Sequence, residues 1–190
     1  MMVKVVLVLM ALSAALAAPA DSGTAGPGTT VKLGQSLQMS APKGWGAVKP
    51  SIGIIAHEFR VPAADGDLAD GRATIMSAGG SIEANVERWQ KQFLGPDGQP
   101  LANPPEPERR TIAGREVTIV DLSGTYLDSR GPMAPAVQRP GYRMLAAVIP
   151  TDTANYFVKF YGPATTVAAN AEAFQAMIGS VRDPYGSPAR

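Results

Sequence analysis

The sequence predicts an α+β fold, an antiparallel β-sheet sandwiched between helices (an α/β/α sandwich), and three observations carry that expectation. Three pairs of apolar runs are joined by short turns, the layout of β-hairpins. Two further segments repeat apolar residues at helical spacing. The long strands carry apolar side chains on both faces, so each face needs a cover.

Along the chain, Lys4 is followed by an apolar run from Val5 to Ala18, broken only by Ser13 and closing on small residues. A basic start, an apolar centre of roughly 7–15 residues and a small-residue exit make up a secretory signal peptide. The exits Ala15-Leu16-Ala17 and Ala18-Pro19-Ala20 place the mature start near Ala18 or Asp21. The apolar run is 14 residues long. A membrane-crossing helix needs about 20, so cleavage is expected rather than retention, leaving no transmembrane segment. The expected location is periplasmic or secreted. The chain has no cysteine, which excludes a lipid-modified lipoprotein and any disulfide.

With 1–20 as the leader, residues 21–30 read as a flexible Gly/Pro/Ser/Thr segment, 31–182 as one domain and 183–190 as a disordered tail. About 170 residues are enough for a single well-buried core. A short strand is expected in Gln35–Ser40, before Pro42-Lys43-Gly44-Trp45. Ile55–Val61 alternates apolar and polar residues, and Arg72–Ala78 follows the Asp65–Gly71 turn, which makes a hairpin. A helix is expected over Ser81–Leu94, where Ile82, Val86, Trp89 and Phe93 form one stripe. Ser81 suits its cap, and Gly95-Pro96 its stop. Arg109–Ile112 and Arg115–Tyr126 form a hairpin about Ala113-Gly114, and Tyr142–Ile149 and Tyr156–Gly162 form another. A last helix is expected over Val167–Val181, capped by Thr165 or Thr166.

The 17 Lys+Arg residues nearly cancel 16 Asp+Glu, and no block of like charge is present. A near-neutral chain lacks the electrostatic footprint for nucleic acid or an anionic membrane surface. The order of elements, with the segment Asn85-Val-Glu-Arg-Trp89 the most distinctive piece, resembles the PsbP superfamily over about Val31 to Arg182, and is most similar to its secreted bacterial members. The resemblance implies an antiparallel sheet between helices and an accessory or binding role, with no enzyme signature and no cofactor.

Catalytic sets fare poorly. His57 is the single histidine and sits between Ile55 and Phe59 on an apolar face, where a hydrogen-bonded structural role is expected; no Gly-x-Ser-x-Gly elbow accompanies it. Gly79-Gly80-Ser81 reads as a capped strand-to-helix turn, because no P-loop lysine follows. Asp65, Asp67 and Asp70 gather carboxylates of the kind calcium prefers, but in spacing that departs from an EF-hand, and the plain reading is a solvated turn. Asn85, Arg88 and Gln92 flank the helical stripe beside Trp89, which itself reads as core. The segment Leu127–Gly141, holding Arg130, Met133 and Arg139, is long for a structureless connection and reads as either a binding loop or a disordered one. The leading expectation is an exported, non-catalytic module engaging a protein or small ligand through Arg130, Met133, Arg139, Asn85 and Arg88. The alternative is a calcium-dependent hydrolytic or ligand-binding protein using Asp65, Asp67 and Asp70.

Overall fold

Apolar runs bounded by turn residues recur along the chain, and the computed structural model, which describes residues 28–50, 52–129 and 135–185, arranges the described residues as ten strands and three short helices. β1 (Thr30–Leu33) and β2 (Leu37–Ser40) form a separate hairpin. The main sheet runs β3 (Gly46–Val48), β4 (Ile55–Val61), β5 (Gly71–Ala78), β10 (Asn155–Pro163), β9 (Val137–Pro150), β8 (Arg115–Asp128) and β6 (Phe93–Leu94). β7 (Glu108–Ile112) pairs with the first half of β8, and β6 with its second half. Every pairing is antiparallel. The β7–β8 turn places Ala113 at φ 50° and Gly114 at φ 72°, both in the left-handed region that tight hairpin turns require.

The helices are shorter than the sequence predicts. α1 (Ile82–Gln90) starts as expected, with the Ser81 hydroxyl accepting from Ala84 N at 3.1 Å, but it stops at Lys91. Phe93 and Leu94 leave the helix to pair with Tyr126 and Thr125, which puts Phe93 wholly in the core. The second expected helix is broken into α2 (Ala164–Ala169) and α3 (Ala171–Gly179). At the break, the Asn170 side chain accepts from the Trp45 indole N–H at 3.1 Å and donates to the Thr166 carbonyl at 3.0 Å. Thr166 does not cap its helix. Instead Asp67 Oδ2, from the β4–β5 connection, accepts from Thr166 N at 2.7 Å and Thr166 Oγ1 at 2.6 Å.

Both ends of the segment expected as a long loop over 127–141 belong to a ladder. Tyr126, Leu127 and Asp128 pair with Arg139, Gln138 and Val137. The register slips between Gly124 and Tyr126, so Pro140 and Gly141 together oppose Thr125. A bulge of this kind suits proline, which has no N–H for the ladder, and Gly141, at φ 69°. Gly124, at φ 148°, also lets β6 come close: a Cβ there would lie 2.3 Å from the Leu94 carbonyl oxygen.

Two hydrophobic clusters draw on alternate residues of the same strands. Leu145, Ala147 and Ile149 of β9 join Phe160, Val158, Val117 and Ile119 with Val167, Phe174, Met177 and Ile178 of α2 and α3. The β1–β2 hairpin adds Val31, Leu33, Leu37 and Met39 to that cluster. Met144, Ala146 and Val148 join Val120, Leu122, Phe157 and Phe93 with Val86 and Trp89 of α1. Hence α1 packs against one set of side chains and the pair α2–α3 against the other. The result is a sheet-rich α+β fold. A hairpin supplies part of the cover that helices alone were expected to give.

The expected leader, residues 1–20, lies outside the described residues, as do 186–190 of the expected tail and both Arg130 and Met133. Arg182 is anchored, exchanging backbone hydrogen bonds with Gln38 at 3.0 and 2.9 Å. Among the described residues, no helix is long and apolar enough to cross a membrane.

Candidate functional site

The α1 side of the sheet is apolar over β8 and β9 but turns polar toward β4 and β5. In one cross-strand row, Glu58, Thr74, Lys159 and Ala146 stand in register; in the next, Arg60, Arg72, Tyr161 and Met144. Lys159 is the one charged residue of β10 and lies between Phe157 and Tyr161 on the same face. Its small flanking partners, Thr74 and Ala146, leave room for the stem to lie along the sheet.

The ammonium of Lys159 donates to Gln92 Oε1 at 3.0 Å and sits 5.3 Å from the Tyr161 ring centre and 5.7 Å from that of Tyr126. Both rings offer their negative faces to the cation. Tyr142 stacks parallel to Tyr126, 6.2 Å between centres, extending the aromatic wall. Gln92 is held in place because its carbonyl accepts from Leu127 N at 2.8 Å. Around this centre, Arg72 donates to Glu58 at 2.8 Å and to the Tyr161 hydroxyl at 2.7 Å, while Arg139 pairs with Asp128 at 3.4 Å. Arg88, exposed on α1, donates to Asn85 Oδ1.

The electrostatics follow from burial and neighbours. Burial lowers the Lys159 pKa to about 8, the nearby Arg88 and Arg72 push in the same direction, and Asp128 opposes them. Burial, with a smaller contribution from Tyr161, holds the Tyr126 hydroxyl well above its usual range. Tyr161 is likewise raised by burial, against the pull of Arg72. Arg72 is raised chiefly by its hydrogen bond to Glu58. Four cations (Lys159, Arg72, Arg88 and Arg139) thus surround two carboxylates (Glu58 and Asp128), and both carboxylates are engaged by arginines.

The structure brings Asn85, Arg88, Gln92 and Arg139 to this basin. Asn85 differs from its expected place on the surface: it is 2% exposed and donates to the Ser81 carbonyl at 2.8 Å. Trp89 is core, edge-on to Phe157 at 5.8 Å. Lys159, Tyr126, Tyr161 and Arg72 escape a reading by motif, though a lone lysine inside the apolar run Tyr156–Tyr161 is the sequence signal for them.

The acidic turn lies elsewhere and does not act as a cluster. Asp67 is committed to α2, and Asp70 accepts from Ala63 N at 2.9 Å and pairs with Arg60 at 3.1 Å. Among the described residues, no three His, Cys, Asp or Glu side chains come together as a metal set. His57 sits opposite Ile75, on the face of α2 and α3 and away from the basin. A recess of 660 Å³ lies between α1 and the segment joining β6 to β7, lined among others by Val86, Pro104, Glu83, Glu106 and Arg109.

This arrangement of strands and helices is a PsbP-like fold. Cyanobacterial PsbP (CyanoP) from Synechocystis sp. PCC 6803 matches it with a TM-score of 0.51 over 88% of this chain and 98% of that one, at 12% identity. Two further solved structures are similar more loosely: PA94, a protein of unknown function from Pseudomonas aeruginosa (TM-score 0.45, 15% identity, 82% of this chain and 96% of that one), and LpqN, involved in cell envelope biogenesis of Mycobacterium tuberculosis (TM-score 0.41, 15% identity, 84% and 87%). No family model and no curated protein matches the chain. At such identities the likeness concerns the fold alone.

Proposed function

We propose that this protein is an exported accessory module of the cell envelope that engages its partner or ligand through the basin between α1 and the outer half of the β8–β9 hairpin. The observation that carries the reading is the gathering of Asn85, Arg88 and Arg139, polar residues from two distant parts of the chain, around a partly buried lysine walled by tyrosines. Buried apolar surface and hydrogen-bonded polar groups account for the rest of this face; an uncompensated positive basin is what a binding role would need. Support for export comes from the leader, and support for an accessory role from the PsbP-like fold. The reading includes a full layered arrangement, the sheet held between α1 on one side and α2–α3 on the other, supported by the alternation of β9 residues between two cores.

Two measurements test it. Fractionation of cells making the full chain, with N-terminal sequencing of the product, is expected to give an extracytoplasmic protein starting near Ala18 or Asp21; a cytoplasmic product that keeps Met1 refutes export. Capture from an envelope extract of the source organism is expected to recover a component that Arg139→Glu loses. Equal recovery by wild type and variant refutes the proposed surface.

A further inference from the structure

We infer that the Lys159 basin is a binding site for a small oxyanion, a carboxylate or a phosphate group, seated between the Lys159 ammonium and the Arg88 guanidinium. The inference deepens the proposed function by naming the ligand class. It rests on that reading for the location of the site but not for export or for a protein partner.

The first support is a charge that the fold does not need. A partly buried ammonium is costly unless paired with an opposite charge. Here its hydrogen bond goes to a neutral amide, Gln92, and the carboxylate that attracts it, Asp128, is held by Arg139. Its other charged neighbours, Arg88 and Arg72, repel it. An unbranched apolar side chain would fill the same slot between Phe157, Thr74 and Ala146 without that cost. The hydrogen bond to Gln92 and the two tyrosine rings offset part of that cost, but among the described residues no carboxylate pairs with the ammonium, which leaves a positive basin ready for an anion.

The second support is an unused set of donors. An ammonium offers three N–H bonds, and Gln92 takes one. The Tyr161 oxygen accepts from Arg72, which leaves its own O–H proton to give. Asn85 is the positioning residue: buried and fixed to the Ser81 carbonyl, it accepts one N–H of Arg88 and so orients the rest of the guanidinium. A planar, forked donor beside a point charge suits an oxyanion with at least two oxygens. Arg88 is exposed, so its end of the seat meets solvent.

The groups around Lys159 are Arg72 from β5, Tyr126 and Asp128 from β8, Tyr161 from its own strand and Arg88 from α1; Glu58 of β4 stands in the same cross-strand row beyond Thr74, and from β9 Arg139 pairs with Asp128 and Tyr142 stacks on Tyr126. Tyr126, Tyr161 and Arg72 are all held above their usual ranges. Of these four groups the lysine amine is the first to titrate above neutrality, and it must be charged to hold an anion.

The test uses the purified full chain, isothermal calorimetry, and benzoate and phenyl phosphate as probes, with chloride at matched ionic strength as control. Saturable binding of at least one probe is expected. The affinity for benzoate should fall about tenfold between about pH 7 and about pH 9, as an amine with a pKa near 8 loses its proton. Lys159→Gln and Arg88→Gln should each weaken binding, the former by at least about tenfold, with melting temperatures showing that both are folded. Binding of phenyl phosphate alone assigns a phosphate ligand, and binding of benzoate alone a carboxylate; either outcome supports the site. No saturable heat with either probe, or wild-type affinity in Arg88→Gln and in a folded Lys159→Gln, overturns it. Neither result depends on where the protein is found or what it captures, so failure here is separable from failure of the proposed function.

Discussion

The two faces of the main sheet are built from alternate residues of the same strands, yet they differ in kind. The face under α2, α3 and the β1–β2 hairpin has a broad apolar centre, with Phe160 lying between Trp45 at 4.8 Å and Phe174 at 6.2 Å, and His57 and the Asp121–Arg143 pair are among its polar members. The face under α1 is apolar only beneath the helix; beyond it the surface passes to Lys159, Arg72 and Glu58. One face spends its residues on cohesion, while the other gives up cohesion for charge. That is the usual division between a scaffold and the site it carries.

The comparison can be broken or sharpened by four substitutions, taken from the largest expected effect down. Phe160→Ala, at a fully buried position of the closed face, should cost about 4 kcal/mol in urea unfolding. A cost under about 1 kcal/mol would show that this face is not the scaffold. Gly124→Ala forces a Cβ toward the Leu94 carbonyl at a backbone angle that glycine favours, and should cost about 2–3 kcal/mol and release β6, read as loss of protection at the Leu94 amide in hydrogen exchange. Lys159→Met should act in the opposite direction, raising stability at about pH 7 by about 1–2 kcal/mol.

Lysine 159 also predicts a pH dependence. Its folded pKa is lowered to about 8 from 10.5, so between those values the unfolded chain holds more protons than the folded one. Wild-type stability should therefore rise with pH across that window, and the rise should vanish in Lys159→Met. A parallel pH profile in the two proteins would remove the idea that the polar half of the open face is under strain. Smallest of the four, Asp67→Ala removes the cap on Thr166 and should cost about 1–1.5 kcal/mol, seen as a lower midpoint in thermal unfolding.

Much of the fold is legible where neighbours along the chain decide it. β4 follows from alternation, β5, β8, β9 and β10 from apolar runs bounded by turn residues, and Ser81 from its capping chemistry. Legibility fails where a distant residue decides. Nothing local in Asn170 announces a helix break, because its partner Trp45 is 125 residues away. Pro140-Gly141 reads as loop chemistry, yet the pair forms a bulge inside a ladder whose strength comes from β8. β3 is exposed at all three positions and so has no pattern to find. For the site, Asn85, Arg88 and Arg139 stand out as polar residues in suggestive places. Lys159 gains meaning only once register sets it between Thr74 and Ala146 and under the rings of Tyr126 and Tyr161.

The bond from Asp67 to Thr166 joins residues 99 positions apart. During vectorial synthesis the turn that carries the carboxylate leaves the ribosome long before the helix it will cap. The groove that receives α2 therefore stays uncovered until almost the whole chain has been made, and a fragment ending before residue 164 would present Phe160 and its neighbours as a sticky surface.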